Sequence, residues 1–375
     1  MIEPGRFVDA LAGYGVRLFT GVPDSLLAAF CSHVMATLPP ERHIIAANEG
    51  AAVGIAIGHY LRGGTPALVY MQNSGFGNAV NPLLSLADPD VYGIPMLLLV
   101  GWRGQPGVKD EPQHVKQGHI MTDLLQAMAL PWAVLPKDWD AAEAAVAEAY
   151  RVASDQSRPY VLLVEKDSFS PAGSSPAQPA QSHAPTREDA LVALAEAIGD
   201  DAIQVSTTGM LSRELFEHRR RTRSKAGRDF LTVGGMGHAS AIALGIALEE
   251  PRREVWCLDG DGALLMHLGG LPVIARNAPA TFFLVVFNNG VHDSVGGQPT
   301  AIDVVDIPQL ARAAGYRVAG RAEALADIAH VVAHLRQHGG PALLELRVRP
   351  GHRKDLGRPT VTPQDAKAEF MAALR

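Results

Sequence analysis

A chain of 375 residues, 47% hydrophobic and 19% charged, has globular composition and enough length for two domains with separate cores. Its formal net charge of −6 weighs against a nucleic-acid partner, and its longest apolar runs, such as 94–100, are too short to span a bilayer. Two cysteines, Cys31 and Cys257, give no disulfide framework, and the start MIEPGRFVDAL lacks the regions of a secretion signal, so a cytoplasmic location is expected.

Apolar, β-branched runs alternate with helix-sized segments from the start of the chain: VRLFTGV (16–22), HIIAA (43–47), ALVYMQ (67–72), PMLLLVGW (95–102) and PYVLLVEK (159–166). The pattern predicts an α/β fold with a parallel sheet covered on both faces. At 170–187 the text turns to SPAGSSPAQPAQSHAPTR, too poor in large apolar residues to order itself, which predicts a linker. Alternation resumes with DAIQVSTTG (201–209), EVWCLDG (254–260), TFFLVVFNN (281–289) and PALLELRVR (341–349), with helices over 239–249 and 322–336 and a closing amphipathic helix at VTPQDAKAEFMAAL. Two doubly wound domains follow, 1–169 and 188–375, with no internal repeat. The basic run RRRTRS (219–224) is a solvated helix end.

In an open parallel sheet, ligands bind at the carboxyl ends of the strands. EVWCLDGDG ends one strand and ALLMHLGGLPVIARN reads as the helix after it. Gly260 and Gly262 let the backbone approach a phosphate, and a helix beginning at Ala263 offers free N–H groups. Asp261 beside a phosphate is repulsive unless a cation intervenes, and a carboxylate with an amide and a carbonyl is an oxygen set suited to Mg²⁺. The next strand ends at Asn288 and Asn289, so Asp261 and Asn289 can share one ion as a metal–diphosphate clamp. A simple turn at NNG remains the alternative.

GDG followed by NN resembles the signature of thiamin-diphosphate-dependent enzymes. The resemblance implies Asp261, Asn289 and the Val291 carbonyl as Mg²⁺ ligands, and thiamin diphosphate as cofactor. In GGMGHASAIALGIAL (234–248) it implies Met236 as the wedge that bends the cofactor and the Gly234 carbonyl as its aminopyrimidine acceptor; otherwise Met236 is core filler. That segment lacks the third glycine of a dinucleotide fingerprint. Thr207, Thr208 and Gly209 in VSTTGML match a second diphosphate contact, with an ordinary helix cap as the alternative.

Glu49 in AANEGAAVGIAIGHYLRGG stands after a strand, at the start of a helix too apolar for a surface helix. A helix-terminal acid favoured by the macrodipole is the alternative. The resemblance implies Glu49 as the acid that activates the cofactor, with burial raising its pKa. It also implies a homodimer or higher homo-oligomer, with the cofactor between the first domain of one subunit and the second domain of its partner. A third, central domain found in many members is absent here.

Closer wording lies in FTGVPDSLL (19–27), YMQNSGFGNAVNPLLSLADP (70–89), GWRGQPGVKDEPQHVKQG (101–118) and NNGVHDSVGGQPT. Together these resemble the phosphonopyruvate decarboxylases among the thiamin-diphosphate-dependent 2-oxoacid decarboxylases. A small anionic 2-oxoacid substrate and a place in phosphonate, including antibiotic, biosynthesis are implied. Asn78 is expected at the cofactor, and Asp24, Ser25, Arg103, Lys109, His114 and His292 at the substrate. Arg103, Lys109, His114 and His119 cluster in a Gly/Pro loop at a strand's end, suited to a phosphonate and a carboxylate; with Asp110 and Glu111 beside them, a salt-bridged surface loop is the alternative. Sulfopyruvate or another small 2-oxoacid remains a second substrate reading, and a noncatalytic cofactor-binding regulator a remote third.

Overall fold

A computed structural model describes residues 1–171, 184–222 and 228–375. They fall into two units, one reaching to 171 and taking in Val295–Pro299, the other made of 184–294 and 300–375. In the first, β1 (Phe19–Gly21), β2 (His43–Ile45), β3 (Leu68–Gln72), β4 (Met96–Gly101), β5 (Trp132–Val134) and β6 (Pro159–Val164) form one sheet in the order β2-β1-β3-β4-β6-β5. Every pairing is parallel. All six residues of β4 are buried, because helices cover both faces of a parallel sheet. Alternation sends Leu97 and Leu99 into one core and Leu98 and Val100 into the other.

The second unit repeats the plan with β7 (Ile203–Ser206), β8 (Asp229–Leu231), β9 (Val255–Gly260), β10 (Phe282–Asn288), β13 (Val318–Ala322) and β14 (Ala342–Arg347), in the order β13-β14-β10-β9-β7-β8. Two dipeptide strands, β11 (Val291–His292) and β12 (Gln298–Pro299), follow β10. Strand order reverses between β7 and β9, so the loops after these two strands open at a topological switch point. The α/β class and the two parallel sheets are as expected.

Several local expectations change. The helix after β9 starts at Asp261 rather than Ala263, with Gly260 in extended backbone as its N-cap. It is also two helices, Asp261–Met266 and Gly270–Asn277, because the apolar pattern continues across His267–Gly269 while the backbone does not. His114 and His119 belong to the helix Pro112–Ala127, which Pro112 opens at N1, and not to the loop before it. The helix Glu49–Gly63 leaves Ala51, Gly54, Gly58 and Leu61 exposed along one face. Of the segment 170–187, residues 172–183 lie outside the described residues; Ser170 donates to the Ile2 carbonyl at 2.8 Å, and Arg187 opens a helix. Arg223 and Ser224 of the basic run also lie outside, while Arg219 pairs with Asp229 and Asp200. Among the described residues, no helix is long and apolar enough to cross a membrane.

The centre of the second sheet is fixed by Trp256 on β9 and its register partner Phe283 on β10, stacked with ring centroids 4.2 Å apart. Both are buried. Phe283→Ala should therefore destabilise the protein by about 3–5 kcal/mol. Chemical denaturation checks this, and a loss below about 1 kcal/mol would contradict the packing role.

Candidate functional site

In the first unit, Glu49 is the first residue of its helix, behind Asn48, whose side chain caps the Ala51 N–H at 2.9 Å. A short polar cap after β2 is what turns the chain into the helix there. Glu49 is buried, and Asn78 Nδ2 donates to its Oε2 at 2.7 Å. Gly75 lies against the other side of the carboxylate: a Cβ at that position would fall on Glu49 Oε1. Desolvation raises the Glu49 pKa, and the Asn78 hydrogen bond opposes the rise only in part. The result is a carboxyl group with a fixed orientation whose acid form is favoured by burial. Asn78 touches Glu49 directly, a partnership its place in the sequence did not reveal.

A second cluster gathers at the ends of β1 and β4. Arg103 Nε donates to Asp110 Oδ2 at 2.8 Å, its Nη2 to Asp110 Oδ1 at 2.5 Å and its Nη1 to Ser25 Oγ at 2.9 Å. Asp110 also accepts the Gly104 and Glu111 N–H groups. Burial would raise the Asp110 carboxyl, but the Arg103 fork outweighs it and holds the pKa below the usual value. Asn73 exchanges two hydrogen bonds with the Arg103 backbone, joining the end of β3 to that of β4. Arg103 is therefore an organiser of this loop, with its guanidinium already committed to a carboxylate and a hydroxyl. Ser25 and Lys109 are exposed, whereas Asp24 is fully covered. Burial pushes Asp24 up to about 6 against the pull of Arg103. His114 is buried, and its pKa is lowered first by desolvation and then by Arg103, against the opposing pull of Asp110.

The second unit brings the expected clamp residues together. Parallel register sets Phe287 opposite Gly260, the last residue of β9, and β10 runs one residue further to Asn288, so the two strand ends bring Asp261 beside Asn289, whose backbone bonds its carboxylate. Asp261 is buried, which lifts its pKa to about 6; the opposing hydrogen bonds come from Thr300 and from backbone groups that include Asn289 and Gly262. Asn289 Oδ1 accepts the Val291 N–H at 3.1 Å, and the Val291 carbonyl accepts the Asp293 N–H at 3.1 Å. One carboxylate, one amide oxygen and one carbonyl, all held by local bonds, fit a hard divalent cation such as Mg²⁺. Among the described residues there is no cluster of three His, Cys, Asp or Glu of the kind a softer metal would need.

Around this clamp, a Cβ on Gly262 would meet His292 Cε1 at 3.0 Å and Met236 Cε at 3.4 Å, so Met236 and His292 converge on the turn. Burial lowers His292 to about 4, leaving a neutral imidazole. Thr207 is buried and bonds the Asp259 side chain, while Thr208 and Gly209 lead into the helix Met210–Thr222. Gly234 stands two residues before Met236 and is half-buried. Sequence reasoning missed Gly75, Asn73 and Thr300, and also the brace behind the loop after β10, whereas the Arg103–Asp110 pair matches its salt-bridged-loop alternative. In that brace, buried Arg187 holds Glu214 at 2.9 Å and Asp293 at 2.8 Å, and Asp293 also accepts the Gly351 N–H.

The Asp24 shift yields a test of the first cluster. A carboxyl with a folded pKa of about 6, above its ordinary 3.8, contributes stability below the ordinary value and loses it as pH rises through 6. Asp24→Asn keeps an acceptor for the Leu26 N–H, removes the charge and leaves Arg103 paired with Asp110. It should stabilise the protein above about pH 6 by up to roughly 3 kcal/mol, a gain that vanishes near pH 4. Thermal melts across pH check this; a variant less stable than the parent at pH 8 would contradict it.

Comparison with known proteins agrees with this geometry. Residues 6–127 match the family described as thiamine pyrophosphate enzyme, N-terminal TPP binding domain, and residues 207–346 match its C-terminal TPP binding domain. A phosphonopyruvate decarboxylase of Streptomyces viridochromogenes is 38% identical, covering 99% of this chain and 95% of that one. Another, of Streptomyces hygroscopicus, is 36% identical over 99% and 93%. A sulfopyruvate decarboxylase of Methanosarcina acetivorans is 27% identical over 98% and 97%. With relatives aligned along nearly its whole length and a match in each half, the chain belongs to the thiamine pyrophosphate enzyme family, in company with the phosphonopyruvate decarboxylases.

Proposed function

We propose that this protein decarboxylates 3-phosphonopyruvate to phosphonoacetaldehyde and CO₂, using thiamin diphosphate and Mg²⁺. The observation that carries the proposal is the end-to-end likeness to phosphonopyruvate decarboxylases in a chain that holds a buried, oriented Glu49. Asp261, Asn289 and the Val291 carbonyl hold the metal, Gly260, Gly262, Ala263 and Thr207–Gly209 receive the diphosphate, and Met236 and Gly234 support the ring system. Bound thiamin diphosphate supplies the electron sink for the carbon–carbon bond that breaks as CO₂ leaves. Glu49 would exchange a proton with the bound cofactor's aminopyrimidine, and burial, which raises its pKa, favours the acid form such an exchange needs. Arg103 holds Ser25 and the loop that carries Lys109, while neutral His292 supplies a hydrogen-bonding group beside the metal turn. The residues 1–169 act as the pyrimidine-binding domain and 188–375 as the diphosphate-binding domain, joined by the linker 170–187. The product, an aldehyde that retains its carbon–phosphorus bond, suits a role in phosphonate biosynthesis, including that of antibiotics.

A homodimer or larger homo-oligomer with the site between subunits is part of the proposal. It is supported by apolar faces left open in each unit: Ala51, Gly54, Gly58 and Leu61 on one helix, and Ala241, Ile242, Gly245 and Leu248 on the helix Ala239–Glu249. Exposed apolar stripes of this kind mark association surfaces.

A sulfopyruvate decarboxylase is the second reading, favoured by the Methanosarcina relative that aligns over 98% of this chain. Phosphonopyruvate, sulfopyruvate and pyruvate compared by kcat/KM separate the two: a clear preference for phosphonopyruvate is expected, and equal or better use of sulfopyruvate would overturn the assignment. Glu49→Gln should lower kcat by about 10²–10⁴-fold. Gly75→Ala, which drives a methyl group into the Glu49 carboxylate, should lower it in the same direction with the cofactor still bound. Normal turnover by Glu49→Gln would contradict the role of the acid. Leu61→Glu should weaken self-association in sedimentation and reduce activity with it; an active monomer would count against a shared site.

A further inference from the structure

Thr300 contacts both halves of the metal clamp. Its hydroxyl donates to Asp261 Oδ2 at 2.6 Å, and its backbone N–H donates to the Gly290 carbonyl at 2.9 Å, within the turn that carries Asn289 and Val291. Thr300 and Asp261 are both buried, so this charge-assisted bond is shielded from water. An ionised carboxylate accepts only, and a hydroxyl bound at one oxygen fixes the rotation of the group and occupies part of that oxygen's capacity. Backbone groups that include those of Asn289 and Gly262 also reach the carboxylate, and Thr300 is the side chain that engages Oδ2.

We infer that Thr300 is a positioning residue that sets the metal preference of the site by holding Asp261 to single-oxygen coordination. This rests on the proposed thiamin diphosphate and Mg²⁺ chemistry. Mg²⁺ demands near-octahedral geometry and takes carboxylates through one oxygen, whereas Ca²⁺ accepts more ligands, flexible geometry and bidentate carboxylates. A fixed Asp261 with Oδ2 engaged therefore favours the smaller ion. Groups that hold a metal ligand from behind commonly contribute about 10–100-fold to metal affinity. Thr300→Val removes only the hydroxyl and keeps the backbone bond to Gly290, so the turn retains its support. Without that hydroxyl, Oδ2 loses its side-chain partner and becomes more available to a cation, which serves Ca²⁺ better than Mg²⁺.

The test is calorimetric titration of Mg²⁺, and separately of Ca²⁺, into the full-length protein with thiamin diphosphate present, for the parent, Thr300→Val and Thr300→Ser. Thr300→Val should bind Mg²⁺ about 10–100-fold more weakly and lose much less affinity for Ca²⁺, while Thr300→Ser, with its hydroxyl restored, stays close to the parent. Metal-free melting of all three identifies any variant that fails to fold, and the serine variant then carries the comparison: equal preference for Mg²⁺ in the serine variant and the parent supports the inference, and a lost preference despite the hydroxyl overturns it. A folded Thr300→Val with the parent's Mg²⁺ affinity, or with Mg²⁺ and Ca²⁺ weakened by the same factor, also overturns it. In that case the parent's own binding leaves the proposed function standing. A parent that binds no Mg²⁺ with thiamin diphosphate removes the underlying function and the inference together.

Discussion

Parallel pairing of β9 with β10 is the constraint on which the second unit's chemistry depends. Register sets Gly260 against Phe287, so two strands of different sequence end within one residue of each other. The oxygens proposed for the metal all belong to residues that follow those two ends. The surrounding bonds hold this arrangement: Thr300 on Asp261, the Asn289 side chain on Val291, and the Arg187–Asp293 pair behind the loop. Breaking a buried pair such as Arg187–Glu214 would leave charge without compensation, which is why such braces resist change.

The first unit solves a different problem, keeping a carboxylic acid protonatable while aiming it. Burial alone would raise the pKa of Glu49 yet leave its carboxyl free to rotate. Asn78 and the bare Cα of Gly75 remove that freedom, at the cost of part of the pKa rise. The Arg103 cluster shows the opposite balance, because a bidentate guanidinium holds Asp110 ionised despite its partial burial. Two acids within one domain are thus driven apart by their neighbours, a pattern common where proton transfer is needed.

Much of this was legible in the sequence because it rests on periodicity or on punctuated strand ends. LDGDG and FNN announce turns, and a single acid heading an Ala/Gly-rich helix draws notice. Short, half-exposed strands such as β5, β8 and β13 carry too little pattern to be seen. The break at His267–Gly269 escaped because the apolar period runs straight across it. Thr300 and Gly75 were invisible for another reason: a lone hydroxyl or a missing side chain acquires meaning only from what the fold brings against it. The apolarity of the helix at 49–63 suggests burial, although part of its apolar face stays open within its own unit.

The most direct measurement is release of CO₂ and phosphonoacetaldehyde from phosphonopyruvate by the purified protein, with thiamin diphosphate and Mg²⁺ together and with each withheld. Turnover that requires both is the predicted result. Turnover that persists after complete removal of either, or none with both at saturation, would contradict the account.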